Sequence, residues 1–258
     1  MQKAKNPKIS IITVCYNSED TIRFTIESII SQNYENIEYL IIDGGSNDKT
    51  LEIINEYKDS VTFFNSEIDK GIYDAMNKGI KAANGDIIGI LNSDDFYSNK
   101  SILSTVANSF SDNDIDALYG DLVYVDPVKI NKILRYWKSG NYSNLKIRNG
   151  WMLPHPTFFV KKCIYIKYGL YNTSLSQASD YAMILNLIYK NKINVEYIPE
   201  ILVYMRNGGK SNRSILNRLK GNKEDSIAWE INKLEQPRFI RFKKPLHKIK
   251  QFFQRPSK

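Results

Sequence analysis

"DIIGILNSDDFY", residues 86–97, begins as a strand and ends as something else. Ile87, Ile88, Ile90 and Leu91 make an aliphatic run, after which Asp94 and Asp95 stand side by side. Two adjacent carboxylates at the end of a buried strand repel each other and lose hydration, so the arrangement requires a compensating partner. The strand's place in the chain decides the fold. The partner decides the chemistry.

Upstream, "KISIITVCYN" (8–17) is a β-branched run ending in polar residues, followed by Ile22, Ile26, Ile29 and Ile30 at helical spacing with Ser18 or Glu19 near the helix start. "NIEYLIIDGGSNDKT" (36–50) is a second strand running through Asp43 and two glycines into the helix "DKTLEIINEYK" (48–58), and "SVTFFNSE" (60–67) is a third strand. "GIYDAMNKGIKAANGD" (71–86) places Ile72, Ala75, Met76, Gly79, Ile80 and Ala83 on one helical face, with Gly85 as a stop. "IIGIL" (87–91) is the fourth strand, and Ile102, Leu103, Val106 and Phe110 mark the helix after it. Strand and helix alternate four times. That order predicts an α/β fold with a mostly parallel sheet flanked by helices.

Such sheets bind ligands in the crevice outside the carboxyl ends of their strands. Tyr16 and Asn17, Asp43, Glu67 and Asp69, and the Asp94–Asp95 pair all fall at those ends. Each alone reads as a turn residue or a helix cap; together they read as a site. "CYNSED" (15–20) lacks the glycine fingerprint of dinucleotide binding and nothing matches a P-loop, which disfavours a dehydrogenase or a P-loop kinase. Asn92, Asp94 and Asp95 form a cluster of hard oxygens suited to Mg²⁺ or Mn²⁺ shared with phosphate. A bound cation would be the partner the acidic pair requires.

The apolar content of 42% is that of a chain that buries a core, which excludes a disordered protein. Cys15 and Cys163 follow no zinc or redox spacing, so no disulfide framework is expected. The apolar run after the basic N-terminus is too short for a signal peptide, no stretch is long enough to span a membrane, and the cytosol is the expected compartment. The net charge of +8 is local: residues 237–258 carry eight Lys and Arg and no acid, leaving 28 Lys and Arg against 28 Asp and Glu elsewhere. In that tail Phe239, Phe242, Leu246, Ile249 and Phe253 recur at helical spacing, with Pro245 as a kink. A cationic face opposite a Phe-rich one predicts an in-plane helix on an anionic membrane surface; a terminal helix packed on its own domain has the same pattern. The body has no further basic patch, so no nucleic-acid partner is expected.

"TVCYN" (13–17), "IIDGGSNDKT" (41–50), "DKGIYDAMNKGI" (69–80) with "ANGD" (83–86), and "LNSDDFY" (91–97) occur in an order that resembles the family 2 glycosyltransferases, across about residues 8–210. The resemblance is strongest to bacterial enzymes of O-antigen, capsule and exopolysaccharide synthesis. It implies a GT-A fold, a Rossmann-like mixed sheet for nucleotide-diphospho-sugars, and inverting, metal-dependent transfer. The domain would then cover 1–236, with a nucleotide-sugar half (8–120) and an acceptor half (121–236), and 237–258 would be a membrane-associating tail.

By that resemblance Asp43 holds the nucleotide base, while Tyr16, Asn17 and the backbone near Thr13 line the base and ribose pocket. Asp69 and Gly71 line the donor site, and Lys70 either approaches phosphate or stays solvated. "NSDD" (92–95) corresponds to the DxD element, with Asn92 where many relatives have Asp; Asp94 and Asp95 carry the ribose and Mn²⁺ or Mg²⁺ contacts. Asp180, opening the helix of "SQASDYAMILNLIYKN" (176–191), is by itself an N-cap; the resemblance makes it the general base. His155 would lie near the donor phosphates or the acceptor or be structural, Trp151 would stack on a sugar or belong to the core, and Arg206 and Lys210 would sit in a mobile loop over a diphosphate or in an exposed basic turn. The implied reaction moves a hexose or N-acetylhexosamine from a UDP-linked donor to a sugar on a polyprenyl diphosphate lipid, at the inner face of the cell membrane. A sugar-1-phosphate nucleotidyltransferase and a non-catalytic nucleotide-sugar-binding scaffold are the alternatives.

Overall fold

In a computed structural model, residues 6–208, 215–238, 240 and 251–255 are described. The first half alternates as the sequence predicts: β1 (Ile9–Cys15), α1 (Ile22–Ile30), β2 (Ile37–Asp43), α2 (Thr50–Glu56), β3 (Phe63–Ser66), α3 (Ile72–Ala82), β4 (Ile87–Ile90), β5 (Asp95–Tyr97) and α4 (Ile102–Asp112). β5 is the exception. The sequence reading ended the strand before the acidic pair, whereas Asp95 opens a short strand of its own, antiparallel to the later β9.

The second half contains β6 (Ala117–Val125), β7 (Ile133–Trp137), α5 (Asn144–Arg148), β8 (Phe159–Lys161), α6 (Lys162–Tyr168), α7 (Ser179–Ile184), β9 (Val195–Arg206) and α8 (Ile215–Ile231). One sheet runs through both halves in the order β3-β2-β1-β4-β8-β6-β9-β5, and β7 pairs with β6. β1 to β4 pair in parallel, β8 inserts antiparallel to β4 and β6, and β6 lies parallel to β9. The sheet is therefore mixed and mostly parallel in the half that the strand–helix alternation built.

Every residue of β1 is buried. Because side chains alternate across a strand, Ile12 and Val14 join the core beneath α3, α6, α7 and α8, while Ile9, Ile11 and Cys15 join the one beneath α1 and α4. Each buried Ile contributes about 1.5–3 kcal/mol relative to exposure. α3 lies so close to β1 that a Cβ at Gly79 would come within 2.4 Å of Ile12, which explains a glycine in mid-helix. The buried stripe of α3 differs from the expected one: Ile72 is 43% exposed, and Tyr73 and Asn77 are buried in its place.

α8 was not anticipated, since its sequence is polar from Lys220 to Ser226 and shows no continuous apolar stripe. In the tail, Ile240 packs into the main core, while Phe239 and residues 241–250 lie outside the described residues. Among the described residues no helix is long and apolar enough to cross a membrane.

Candidate active site

The parallel strands β1 to β4 end along one edge, and their following turns are cross-tied there. Gly44 donates its N–H to Cys15 O at 2.9 Å, and Glu67 donates to Asp43 O at 3.1 Å. Asn17, in the left-handed region at φ 50°, donates its N–H to Ser46 Oγ and accepts at Oδ1 from Asn47 N. Ser18 Oγ lies 2.8 Å from Ser93 Oγ, joining the first turn to the fourth. Tyr16 is exposed at the mouth. These contacts tie the turns that follow β1, β2, β3 and β4 to one another along that edge.

Asp43 has a different place from the one expected. Its carboxylate is wholly buried; Oδ2 accepts from Gly45 N, Ser46 N and Ser66 Oγ at 2.7–3.0 Å, and Oδ1 accepts from Ser46 Oγ at 2.5 Å. With both oxygens engaged by the chain, Asp43 organises the turn. Asp69 is the carboxylate nearer the cleft: half-buried, it accepts Gly71 N–H at 2.7 Å and lies so close to Gly44 that a Cβ there would meet Oδ2 at 2.5 Å. Thr13 is also buried, with its hydroxyl accepting from Tyr39 OH at 3.1 Å, so only its strand backbone approaches the rim. Lys70 is exposed beside Asp69, and its N–H donates to Asp74.

The acidic pair sits at the start of β5. Asp95 is 0% exposed; Oδ2 accepts from Asn92 Nδ2 at 3.2 Å, whereas Asp95 Oδ1 and Asn92 Oδ1 are buried without a hydrogen-bond partner. Burial first, then the charge of Asp94, pushes the Asp95 carboxyl well above the usual carboxylate range, with Asn92 and Arg206 opposing. Arg206 is the fixed cation of this region. It ends β9 one residue past Met205, the partner of Asp95, and it is 7% exposed. Its guanidinium lies 4.8 Å from the Phe24 ring centroid and 5.4 Å from that of Phe96, and Nη1 donates to Pro127 O at 3.0 Å. Nε and Nη2 are buried without a partner. Burial lowers its pKa while Asp94 and Asp95 raise it.

On the acceptor side, Asp180 stands in the first turn of α7 and its Oδ1 accepts from Tyr73 OH at 3.1 Å. Burial and then the Asp180 charge raise the Tyr73 pKa well above its usual value, so this hydroxyl stays protonated and donates. Tyr171 stacks on Tyr73 at 5.8 Å and meets the edge of His155 at 5.7 Å. Asn77 fixes Tyr171 in turn, exchanging two hydrogen bonds with its backbone. Burial lowers the His155 pKa, the Asp180 charge opposes, and Nε2 has no hydrogen-bond partner. On β6, burial raises the Tyr124 pKa first, Arg135 opposes, and the charges of Asp95 and Asp180 add to the rise.

Trp151 does not reach the cleft. It is 8% exposed, its Nε1 donates to Ser139 O at 2.9 Å, and it meets Tyr119 edge-on, so it belongs to the core. Lys210 and most of the "RNGGKSNRS" loop lie outside the described residues. Sequence reasoning missed Tyr73, Tyr124 and Asn77, because an aromatic or amide on a helix or strand carries no sign of what it faces.

Residues 10–173 match the sequence model described as Glycosyl transferase family 2. An uncharacterised glycosyltransferase of Haemophilus influenzae is 30% identical over 229 residues, 88% of this chain and 87% of that protein. A UDP-Glc:alpha-D-GlcNAc-diphosphoundecaprenol beta-1,3-glucosyltransferase of Escherichia coli, WfaP, is 44% identical over 90 residues, 34% of this chain and 36% of that one. Among solved structures, TarS of S. aureus in complex with UDP-GlcNAc superposes with a TM-score of 0.69 at 18% identity over 87% of this chain and 65% of that chain. A mannosyltransferase of Pyrobaculum calidifontis, solved with GDP-Man and Mn²⁺, gives 0.65 at 16% identity over 95% and 69%. At those identities the structures speak for the fold alone, which is GT-A.

Proposed function

The chain belongs to glycosyltransferase family 2, and from that premise we propose that it moves a hexose or N-acetylhexosamine from a UDP-linked donor to a sugar hydroxyl on a lipid-linked acceptor, inverting the anomeric carbon. As a glycosyltransferase it is neither the nucleotidyltransferase nor the scaffold that the residues alone left open. The observation that supports the reading is that Tyr73, on the helix after β3, donates its hydroxyl to Asp180 Oδ1 at 3.1 Å. The proposed base is thus held by the helix that follows the strands whose ends would take the donor.

The donor lies along the strand ends, with its base between Tyr16, Asn17 and Asp69 and its diphosphate toward Asp94, Asp95 and Arg206. Lys70, exposed beside Asp69, would approach phosphate from the rim. The residues present fit Mn²⁺ or Mg²⁺. Asp95 Oδ1 and Asn92 Oδ1 are buried oxygens without partners, and no group of three or more His, Cys, Asp or Glu gathers among the described residues. The protein would therefore give one or two carboxylates and leave the other positions to phosphate and water, the usual manner for such ions. Bound there, the cation would supply charge to offset the departing nucleoside diphosphate.

The chain's own residues perform the remaining steps. Asp180, held by Tyr73, takes the proton of the acceptor hydroxyl as that oxygen attacks the anomeric carbon from the face opposite the diphosphate. Arg206, with Nε and Nη2 unpaired, holds diphosphate oxygens as charge grows on them. His155 stays neutral on the acceptor side because its burial disfavours the imidazolium. No covalent intermediate is needed.

The WfaP relative, a glucosyltransferase acting on a GlcNAc-diphosphoundecaprenol, supplies the acceptor class to test, a sugar on a polyprenyl diphosphate. Such an acceptor would place the enzyme at the inner face of the membrane, held there by the basic, Phe-bearing tail. The test is thermal stabilisation by UDP-Glc, UDP-GlcNAc and GDP-Man with and without Mn²⁺, followed by transfer assays of wild type and Asp180→Asn. A midpoint raised by one nucleotide sugar only with Mn²⁺, and transfer lost in the variant, supports the reading. Wild-type transfer by Asp180→Asn removes the base assignment.

A further inference from the structure

α8 reaches over the start of α7. Its Glu224, 6% exposed, turns a carboxylate into the segment just before Asp180: Oε2 accepts the N–H groups of Ser176 at 2.9 Å, Gln177 at 2.6 Å and Ala178 at 3.2 Å, and Oε1 accepts Ser176 Oγ at 2.8 Å. α7 has no capping side chain of its own, because its N-cap is Ala178. The backbone N–H groups of Ser176, Gln177 and Ala178, in the turn just ahead of α7, need acceptors when buried, and they find one on an element 46–48 residues away. Burial alone would raise the Glu224 pKa, but the hydrogen bonds from Gln177, Ser176 and Ala178 prevail and lower it, so the group is a carboxylate at neutral pH.

We infer that Glu224 is a positioning residue for transfer: by gripping residues 176–178 it fixes where α7 begins and therefore where Asp180 points. This rests on the reading of Asp180 as the base. Two side chains hold this turn from opposite sides, Tyr73 at the Asp180 carboxylate and Glu224 at the backbone before it. A bare packing contact would anchor α8 to α7, and such contacts exist farther along, where Trp229 Nε1 donates to Tyr181 OH and Asn232 Nδ2 donates to Ala182 O, both at 3.0 Å. A carboxylate does more, since it specifies the direction of three consecutive N–H groups. Near-attack geometry is sensitive at this level, and a displacement of about 1 Å costs about a hundredfold in rate.

The test uses the full chain. Glu224→Gln keeps the size but leaves one acceptor oxygen for four donors. Hydrogen exchange without ligand should accelerate at residues 176–184 and remain unchanged along β1 to β4. With UDP-Glc and a GlcNAc-diphosphate-lipid as probes, or with slow UDP-Glc hydrolysis where that acceptor is not used, kcat should fall about tenfold to a hundredfold with the donor KM within twofold of wild type. Asn232→Ala, which loosens the same helix pair away from the turn, should lower the thermal midpoint and leave kcat within twofold. Glu224→Gln added to Asp180→Asn should slow the reaction no further, because the base it positions is already gone. Losses that multiply in the double variant, or unchanged kcat in Glu224→Gln, overturn the inference while leaving Asp180 in place. Wild-type rate in Asp180→Asn alone instead overturns the base reading. If Glu224→Gln does not fold, Ser176→Ala, which removes one hydrogen bond, is put through the same cycle with a severalfold loss expected and the same two outcomes decisive.

Discussion

The Tyr73 hydroxyl donates to Oδ1 of Asp180 at 3.1 Å, joining the first turn of α3 to the first turn of α7. A hydrogen bond to a charged group contributes about 1.5–3 kcal/mol, and here it also selects one orientation of the base. Tyr73→Phe should therefore lower kcat about tenfold or more, leaving the donor KM and nucleotide affinity unchanged. Asp180→Asn, which removes the proton acceptor, should cost about 10²–10⁴. A Tyr73→Phe enzyme whose loss lies wholly in donor KM would show that the hydroxyl serves the donor instead.

Asp43 and Asp69 look alike in sequence, as acids following neighbouring strands, but the structure uses them differently. Asp43→Asn should destabilise the protein by about 1–3 kcal/mol, because at least one of Ser46, Ser66 and the two amides loses its acceptor. Asp69→Asn should leave the thermal midpoint within a degree or two and weaken uridine nucleotide binding about tenfold. Calorimetric titration with UDP, together with thermal unfolding, separates the two. Equal nucleotide affinity in folded Asp69→Asn would remove Asp69 from the base pocket.

What the sequence disclosed is what depends on period. Aliphatic runs at β1, β2 and β4 are buried on both faces, so they stand out as strands, and the rim residues follow from where those runs stop. Asp180 was legible as a helix start. Hidden were the features set by distant partners: β5 is a strand only because β9 lies beside it, and α8 is held by Glu224, Trp229 and Asn232 rather than by a clean apolar stripe. The first turn of α3 is the same case, since Tyr73 instead of Ile72 is buried because Tyr171 and Asp180 wait on that side. The acidic pair has two candidate partners. The sequence pointed to a cation from solution, and the fold adds Arg206, whose charge already acts on Asp94 and Asp95.

Removal and return of metal give a direct check on that pair. With Asp95 wholly buried beside Asp94, a divalent ion that binds the native state should stabilise it by mass action. Mn²⁺ with UDP should raise the thermal midpoint of the wild type, and chelation should reverse the rise. In Asp95→Asn the increment from Mn²⁺ should be abolished. An equal Mn²⁺ increment in the variant would place the ion elsewhere.

His155 offers a pH test with a definite sign. Burial depresses its folded-state pKa below the ordinary value of about 6.5, so the stability linked to its neutral form is present above that value and is lost as pH falls through the folded pKa. Wild type should lose up to about 1.4 kcal/mol per pH unit below 6.5 from this group. His155→Gln should flatten that portion of the profile. Urea unfolding at pH 7.5, 6.5 and 5.5 measures it; parallel curves for the two proteins would mean that His155 titrates as freely in the native chain as in the unfolded one.

The end of the tail docks on the acceptor half and still presents apolar surface. Gln251 accepts from the Arg135 guanidinium, which stacks on Tyr124, Trp137 and Phe252, while Phe252 and Phe253 are 53% and 83% exposed. Phe253 belongs to the Phe-rich stripe expected to meet lipid, and the eight basic residues of 237–258 would draw it to an anionic surface. Deleting the whole tail would also strip the core residue Ile240, so the cleaner variant is Phe253→Glu, which touches an exposed side chain alone. Co-sedimentation with vesicles containing anionic lipid should drop severalfold at low salt, while the thermal midpoint and transfer to a water-soluble acceptor stay as in wild type. Transfer to the proposed lipid-linked acceptor should fall in proportion to the lost partitioning. Undiminished sedimentation of Phe253→Glu, with full activity on the lipid-linked acceptor, would show that the charge of the tail suffices or that the enzyme meets its substrate without it, and adding 0.5 M salt to the same assay distinguishes the two.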